Sequence, residues 1–269
     1  MRKLWALLVG ALVMGILTGC TQSGEASKDE TVTLKVGAAS VPHAEVLEYL
    51  ADDIAKEGVK LEISILKDAV QTNQQTADGE LDFNYFQHIP FLEQTNKESH
   101  LDLVSVEGIH IEPFGVYSNT IDNITDLPQN AEVAVPNDVV NFSRALLLFE
   151  SNGLIELDGA KHSDYTVEDI TKNEKDIQFI GVDSLLLVRS LDDVDAAAIN
   201  TNYALEGGYN PGEDALIIEG SESPYVNIIA TTKEKKDDVA IQKVVKWLTS
   251  DKTRQFFEEH YKGAVVPVF

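Results

Sequence analysis

From residue 31 onward the chain alternates between two hydrophobic periods. In segments 31–36 and 59–66 apolar residues stand at every second position, as Leu61, Ile63 and Ile65 do, the period of a half-buried strand. Segment 44–56 instead carries them at helical spacing, with Pro42 ahead of it where a helix can begin. The alternation continues with a helix expected over 69–77, a strand over 81–85, a helix over 89–97, and strands over 102–107 and 109–118. Segment 119–128 is rich in turn residues and interrupts the pattern. It restarts with a strand over 132–135, a strongly apolar helix over 141–151 ending at Gly153, a strand over 177–180, a helix over 184–191 and a strand over 194–199. One more strand is expected over 226–232, then two closing helices over 238–249 and 252–261.

Strands alternating with helices imply α/β layers with largely parallel sheets. The restart after residue 119 implies a second α/β unit, and the strand from 226 implies a chain that crosses back to the first. The expected architecture is therefore two lobes joined by two crossing segments, with residues 31–118 plus 227–269 in lobe 1 and 119–226 in lobe 2. Ligands of such an architecture bind in the cleft between the lobes.

The first thirty residues follow a different logic. Arg2 and Lys3 precede an apolar run from Leu4 through Ile16, which ends at Leu17-Thr18-Gly19-Cys20. The run is shorter than the ~20 residues a bilayer-spanning helix needs, and it has the layout of a secretory signal. Its ending resembles the bacterial lipobox, in which the cysteine thiol is lipidated before cleavage on its amino side. Cys20 is the only cysteine in the chain, so no partner exists within it for a disulfide. The expectation is a signal peptide over 1–19, a lipid on Cys20 and a polar tether over 20–30, holding the protein outside the cytoplasm on the cell membrane.

Charge narrows the partners. The chain has 21 basic and 45 acidic side chains, a formal charge of −24. Loss of residues 1–19 removes Arg2 and Lys3 and no acid, leaving 19 basic residues and a charge of −26. Nucleic acid is excluded, because its phosphates demand basic patches. Attraction to anionic lipid is excluded on the same ground, so the lipid on Cys20 would have to do the anchoring. No GxGxxG, P-loop, HExxH, GxSxG or CxxC occurs, and the six histidines show no tight metal-ligand spacing. No cofactor, no metal and no catalytic residue is expected.

Four segments and the C-terminus carry a more specific signal. They are Val36-Gly-Ala-Ala-Ser-Val-Pro-His-Ala-Glu45; Asp78-Gly-Glu-Leu-Asp-Phe-Asn-Tyr-Phe-Gln-His88; Val135-Pro-Asn-Asp138 with Arg144-Ala-Leu-Leu-Leu148; and Asp192–Ala204 with Ser223-Pro-Tyr-Val-Asn-Ile-Ile229. With the closing Tyr261-Lys-Gly-Ala-Val-Val-Pro-Val-Phe269, they resemble the NlpA-type methionine-binding lipoproteins, in order, over essentially the whole chain after the anchor. The resemblance implies a two-lobe periplasmic-binding-protein fold of type II. It also implies a monomeric receptor that captures methionine, of L or D configuration, and delivers it to an ABC permease and its ATPase. It further implies that Arg144 pairs with the ligand carboxylate and that Asn202 and Asn227 hydrogen-bond the amino-acid head group. Phe86, His88 and Phe91 would line the side-chain pocket.

The residue types suit those roles. Arginine's planar fork matches a carboxylate better than lysine does, and sulfur gains from aromatic edges. For Asn202 a helix N-cap is an equally good reading, and His43 and Glu45 read equally as cleft lining or helix capping. Two departures from the family pattern bear on the ligand: Ala69 stands where an aromatic is usual, and Val139, Val140 and Phe142 stand where small polar residues are usual. One expectation is that Phe142 refills the space opened at Ala69; another is a different ligand, such as a methionine dipeptide or another apolar amino acid. An extracytoplasmic enzyme or an adhesion lipoprotein are the alternatives from other classes.

Overall fold

The computed structural model describes residues 31–160, 163–220 and 223–269. The signal peptide, Cys20 and the tether lie outside the described residues. In chain order the strands are β1 (Val32–Ala38), β2 (Val59–Ile65), β3 (Phe83–His88), β4 (Val104–Ile111), β5 (Gly115–Tyr117) and β6 (Glu132–Pro136). They continue with β7 (Glu156–Leu157), β8 (Ile170–Lys172), β9 (Gln178–Val182), β10 (Ala196–Ile199), β11 (Ile217–Ile218), β12 (Val226–Thr231) and β13 (Val266–Pro267). The helices that matter below are α1 (Glu45–Lys56), α2 (Ala69–Ala77), α3 (Ile89–Ser99) and α4 (Val139–Ser151).

The strands form a six-stranded sheet in the order β13-β4-β12-β3-β1-β2 and a five-stranded sheet in the order β11-β5-β10-β6-β9. Each sheet has its own core. Leu34, Val36 and Ala38 of β1 pack with Leu47, Leu50 and Ile54 of α1 and with Ile241, Val244 and Leu248 of the helix Val239–Leu248. In the second sheet β10 is buried on both faces: Ala196 and Ala198 join one cluster, Ala197 and Ile199 another. That split follows from the two-residue pleat, and it is why this strand reads as an unbroken apolar run. The architecture is a two-lobe α/β fold.

Two expectations need correction. The sheets are mixed rather than largely parallel. β1 pairs with β2 and β3, and β6 with β9 and β10, in parallel, but β12 runs antiparallel to both β3 and β4, and β5 antiparallel to β10. The chain also changes sheet earlier than the turn-rich stretch from residue 119 suggests. β5 already belongs to the second sheet, so the crossing falls between Ile111 and Gly115, at Glu112-Pro113-Phe114. Alternation of apolar residues runs on through both strands, and periodicity alone cannot see a change of sheet. Residues 123–126 instead form a short 3-10 turn capped by Asn123.

A buried amide network ties α2 to β3. Asn73 donates to Gln87 at 2.9 Å, Gln87 donates to Asn73 and Asn84 at 2.7 and 2.8 Å, and Asn84 donates to Asn73 and to Thr76 at 3.0 and 2.8 Å. Every member is satisfied, so the network fixes this geometry without leaving a costly orphan.

Candidate ligand-binding cleft

A cleft of about 200 Å³ opens at the carboxyl ends of parallel strands from both sheets. Residues 66–70 follow β2, 86–88 end β3, 137–138 follow β6, 183–185 follow β9 and 200–203 follow β10. Open α/β sheets bind ligands in this place, because the loops there are free of sheet pairing. Phe86, His88, Phe91, Arg144, Asn202 and Asn227, scattered over 142 positions of sequence, all line it.

Arg144 lies on the second turn of α4. Asp138 caps that helix, accepting from the Asn141 backbone at 2.9 Å and from its side chain. The guanidinium is only 3% exposed. Its Nε and Nη2 donate to the two carboxylate oxygens of Glu219 at 2.7 and 2.5 Å, and Nη2 also donates to the Glu112 carbonyl at 3.0 Å. The Tyr225 ring, 4.1 Å away, and the Phe114 ring, 5.0 Å away, hold its faces. Among the described residues Nη1 makes no hydrogen bond, so the end of the fork remains for a ligand.

His88 ends β3 and caps α3, accepting from the Phe91 backbone at its Nδ1, 3.2 Å away. With Nδ1 accepting, Nε2 carries the proton and donates to Asn141 at 3.2 Å. Burial, helped by the charge of Arg144, lowers its pKa to about 3, so the ring is neutral. It sits edge-on to Tyr225 at 5.0 Å and to Phe91 at 6.2 Å, while Phe86 meets Phe91 at 6.3 Å. These rings make an apolar wall on one side of the cleft.

Asn227 is the second residue of β12, and its Oδ1 lies 3.0 Å from His43 Nε2. Asn202 is the second residue of the helix Thr201–Glu206 rather than its cap, a position taken by Asn200. The Asn202 backbone donates to Glu112 Oε2 at 2.9 Å. The Glu112 carboxylate also accepts from His110 Nε2 at 2.8 Å. Its pKa is raised by burial, opposed by His43, the Asn202 N–H and Arg144. His43 lies in the core behind the cleft, and Glu45, the first residue of α1, accepts from the hydroxyl of Tyr261 at the end of the helix Asp251–Tyr261, so neither caps a helix through its side chain. Among the described residues, His43, His110 and Glu112 form one cluster with metal-ligand spacing, their ligand atoms within 4.8 Å of one another.

The family model described as NlpA lipoprotein matches residues 34–269. The chain belongs to the NlpA lipoprotein family. Among its relatives, the "Methionine-binding lipoprotein MetQ" of Bacillus subtilis is 38% identical over 272 residues, covering 97% of this chain and 98% of that one. A Burkholderia cenocepacia nutrient-binding protein solved bound to methionine shares 40% identity with a TM-score of 0.84, over 88% of this chain and all of that one. A periplasmic substrate-binding protein of an ABC transporter from Coxiella burnetii shares 35% identity with a TM-score of 0.83, over 87% of this chain and all of that one. Among the described residues no helix of this NlpA-family chain is long and apolar enough to cross a membrane.

Sequence reasoning missed two carboxylates. Glu112 is hidden in an apolar strand exit, and Glu219 lies in the return toward β12; only their fold positions bring them to Arg144 and Asn202. The expected refill at Ala69 is not seen. Ala69 lines the cleft, whereas Phe142 packs on the core of the second sheet beside Gly181 and does not line it. Phe142 lies two residues before Arg144, and on a helix such neighbours point to different faces.

Proposed function

We propose that the protein is an extracytoplasmic, lipid-anchored receptor that binds methionine and passes it to an ABC permease, with no covalent chemistry of its own. The observation that carries this reading is the cleft. It collects, from two sheets, one arginine with a free Nη1, two head-group amides and an apolar ring wall, which is the inventory an amino acid with a thioether side chain requires. Family membership and the methionine named for its relatives support the same ligand. We assign the carboxylate to Arg144, the head group to Asn202 and Asn227, and the side chain to Phe86, His88 and Phe91. The lobes would hinge at the two crossings, near Glu112 and near Glu219, closing on the ligand.

Native mass spectrometry of the purified protein, with a thermal-shift panel of amino acids and methionine dipeptides, tests the reading. Retained methionine, or stabilisation by it ahead of other apolar amino acids, is the expected result. Stabilisation only by a different apolar amino acid or by a dipeptide would replace it; Ala69, a small side chain, lines the cleft beside Val70.

A further inference from the structure

Behind the cleft runs a buried chain of polar groups that surfaces at two cleft-lining residues, Glu112 and Asn227. The Tyr85 hydroxyl is 2.6 Å from His110 Nδ1, His110 Nε2 is 2.8 Å from Glu112 Oε1, and His43 Nε2 is 3.4 Å from the same oxygen and 3.0 Å from Asn227 Oδ1. Tyr85, His43 and His110 are fully buried, and Glu112 and Asn227 are each 6% exposed where they reach the cleft. Burying five polar groups together is costly unless each donor finds an acceptor. The proton positions can therefore be worked out.

The Tyr85 hydroxyl has no other hydrogen-bond acceptor among the described residues, so it donates its proton to His110 Nδ1. With Nδ1 accepting, a neutral His110 carries its proton on Nε2 and donates it to Glu112. The same logic fixes His43. A bare Nε2 there would turn its lone pair toward the Glu112 carboxylate, so Nε2 carries the proton and donates it to Asn227 Oδ1. The Val41 carbonyl also acts on the His43 ring, but Nδ1 makes no hydrogen bond of good geometry, so the proton goes to Nε2, where Asn227 Oδ1 and the Glu112 carboxylate both accept. Both rings are neutral, burial lowering their pKa values to about 4 and about 3. With its oxygen turned inward to His43, the Asn227 amide turns its NH₂ the other way. Glu112, holding the His110 and Asn202 donors, keeps acceptor capacity to spare, because an ionised carboxylate offers about four lone-pair sites.

We infer that Tyr85, His110 and His43 are positioning residues that order the protons of one relay, so that Glu112 faces the cleft as an acceptor for the ligand's ammonium and Asn227 as a donor for its carboxylate. This rests on the amino-acid-receptor reading for the ligand, but the proton order can be measured without any ligand.

The test has two arms on the full-length protein. First, ¹⁵N-histidine NMR without ligand, assigned through single His→Gln substitutions, reports which ring nitrogen carries the proton. The relay requires Nε2–H with a bare Nδ1 at both His43 and His110 near neutral pH; an Nδ1–H form or an imidazolium at either ring overturns the order. Second, calorimetry compares methionine with its deaminated analogue, 4-(methylthio)butanoate. Glu112→Gln should weaken methionine by at least roughly tenfold, as loss of a charged hydrogen bond does, and leave the analogue within about twofold. Tyr85→Phe should follow the same pattern more weakly, with a lower but still single, cooperative melting transition showing that the fold survives. Equal losses for both ligands, or no loss for methionine, overturn the ammonium assignment. If the unaltered protein binds neither compound, the receptor reading fails, and the NMR arm still judges the proton order by itself.

Discussion

Replacing Arg144 by alanine perturbs folding and binding together, and a second substitution separates them. The side chain is 3% exposed, donates three hydrogen bonds, two of them to Glu219, and is packed between Tyr225 and Phe114. Removing it leaves the Glu219 carboxylate without its cation, held among the described residues only by the Phe114 N–H and the Ser223 hydroxyl. Breaking a buried pair by deleting one partner costs about 3–5 kcal/mol. The Glu219 side chain is 14% exposed, so water reaches it and the lower end, about 3 kcal/mol, applies. For a domain of this size that lowers the melting temperature by roughly 6–12 °C. Arg144→Ala combined with Glu219→Ala removes the stranded charge and should recover most of that loss. Binding should not recover with it. Loss of the carboxylate partner costs about 2–5 kcal/mol, a weakening of at least ~30-fold. Calorimetric titration with methionine, alongside thermal melts of both variants, reads the two effects apart. Near-native affinity in either variant would refute the carboxylate assignment, and an unshifted melting temperature in the single variant would refute the view of Glu219 as its buried partner.

Acidification should destabilise the fold. His43, His88 and His110 have folded pKa values of about 4, 3 and 3 against 6.5 when free, so the unfolded chain binds more protons once pH drops below 6.5. Stability is then lost at up to about 1.4 kcal/mol per pH unit for each ring between pH 6.5 and about 4. Glu112 and Asp138, whose pKa values are raised, act in the opposite sense as they take up protons, so urea titrations at several pH values should show a net loss below the sum of the three rings. Asp138→Ala should cost about 1 kcal/mol through the lost cap of α4 and also weaken methionine binding, because Asn141 and Arg144 ride on that helix; thermal melts and calorimetry check each effect. Phe142→Ala should lower stability by up to about 3 kcal/mol while leaving the affinity for methionine within about twofold, since Phe142 packs in the second core and not on the cleft.

What could be read ahead of the structure divides along physical lines. Strict alternation at Leu61, Ile63 and Ile65 and helical spacing from Ala44 mark β2 and α1 to within a residue or two, because one buried face imposes its period on the sequence. The crossing was misplaced because β4 and β5 are both apolar and only Pro113 lies between them to mark a change of sheet. The six cleft residues were legible through family resemblance, and the cleft does gather them, but nothing local marks Glu112 or Glu219. Each is one acid among 45, and its meaning comes from a partner far along the chain: Arg144 is 75 positions from Glu219, and Asn202 is 90 from Glu112.

The two carboxylates also share a location, and it bears on mechanism. Glu112 sits in the first crossing and Glu219 in the return from β11 to β12, so each lies where the chain leaves one sheet for the other. Glu112 holds His110 of the first sheet with one oxygen and the Asn202 backbone, beyond the second sheet's β10, with the other. Glu219 grips Arg144 of α4, on the second sheet's side, immediately before the chain returns to β12 and Asn227. A ligand whose carboxylate reaches Arg144 and whose ammonium reaches Glu112 would therefore touch both crossings at once. Its binding energy would be applied where a small change of backbone angle moves one lobe relative to the other. On this account the analogue lacking an ammonium should bind and yet close the lobes less completely. Small-angle scattering would show that as a smaller decrease in radius of gyration than methionine produces, and an equal decrease for the two compounds would remove Glu112 from the closing step.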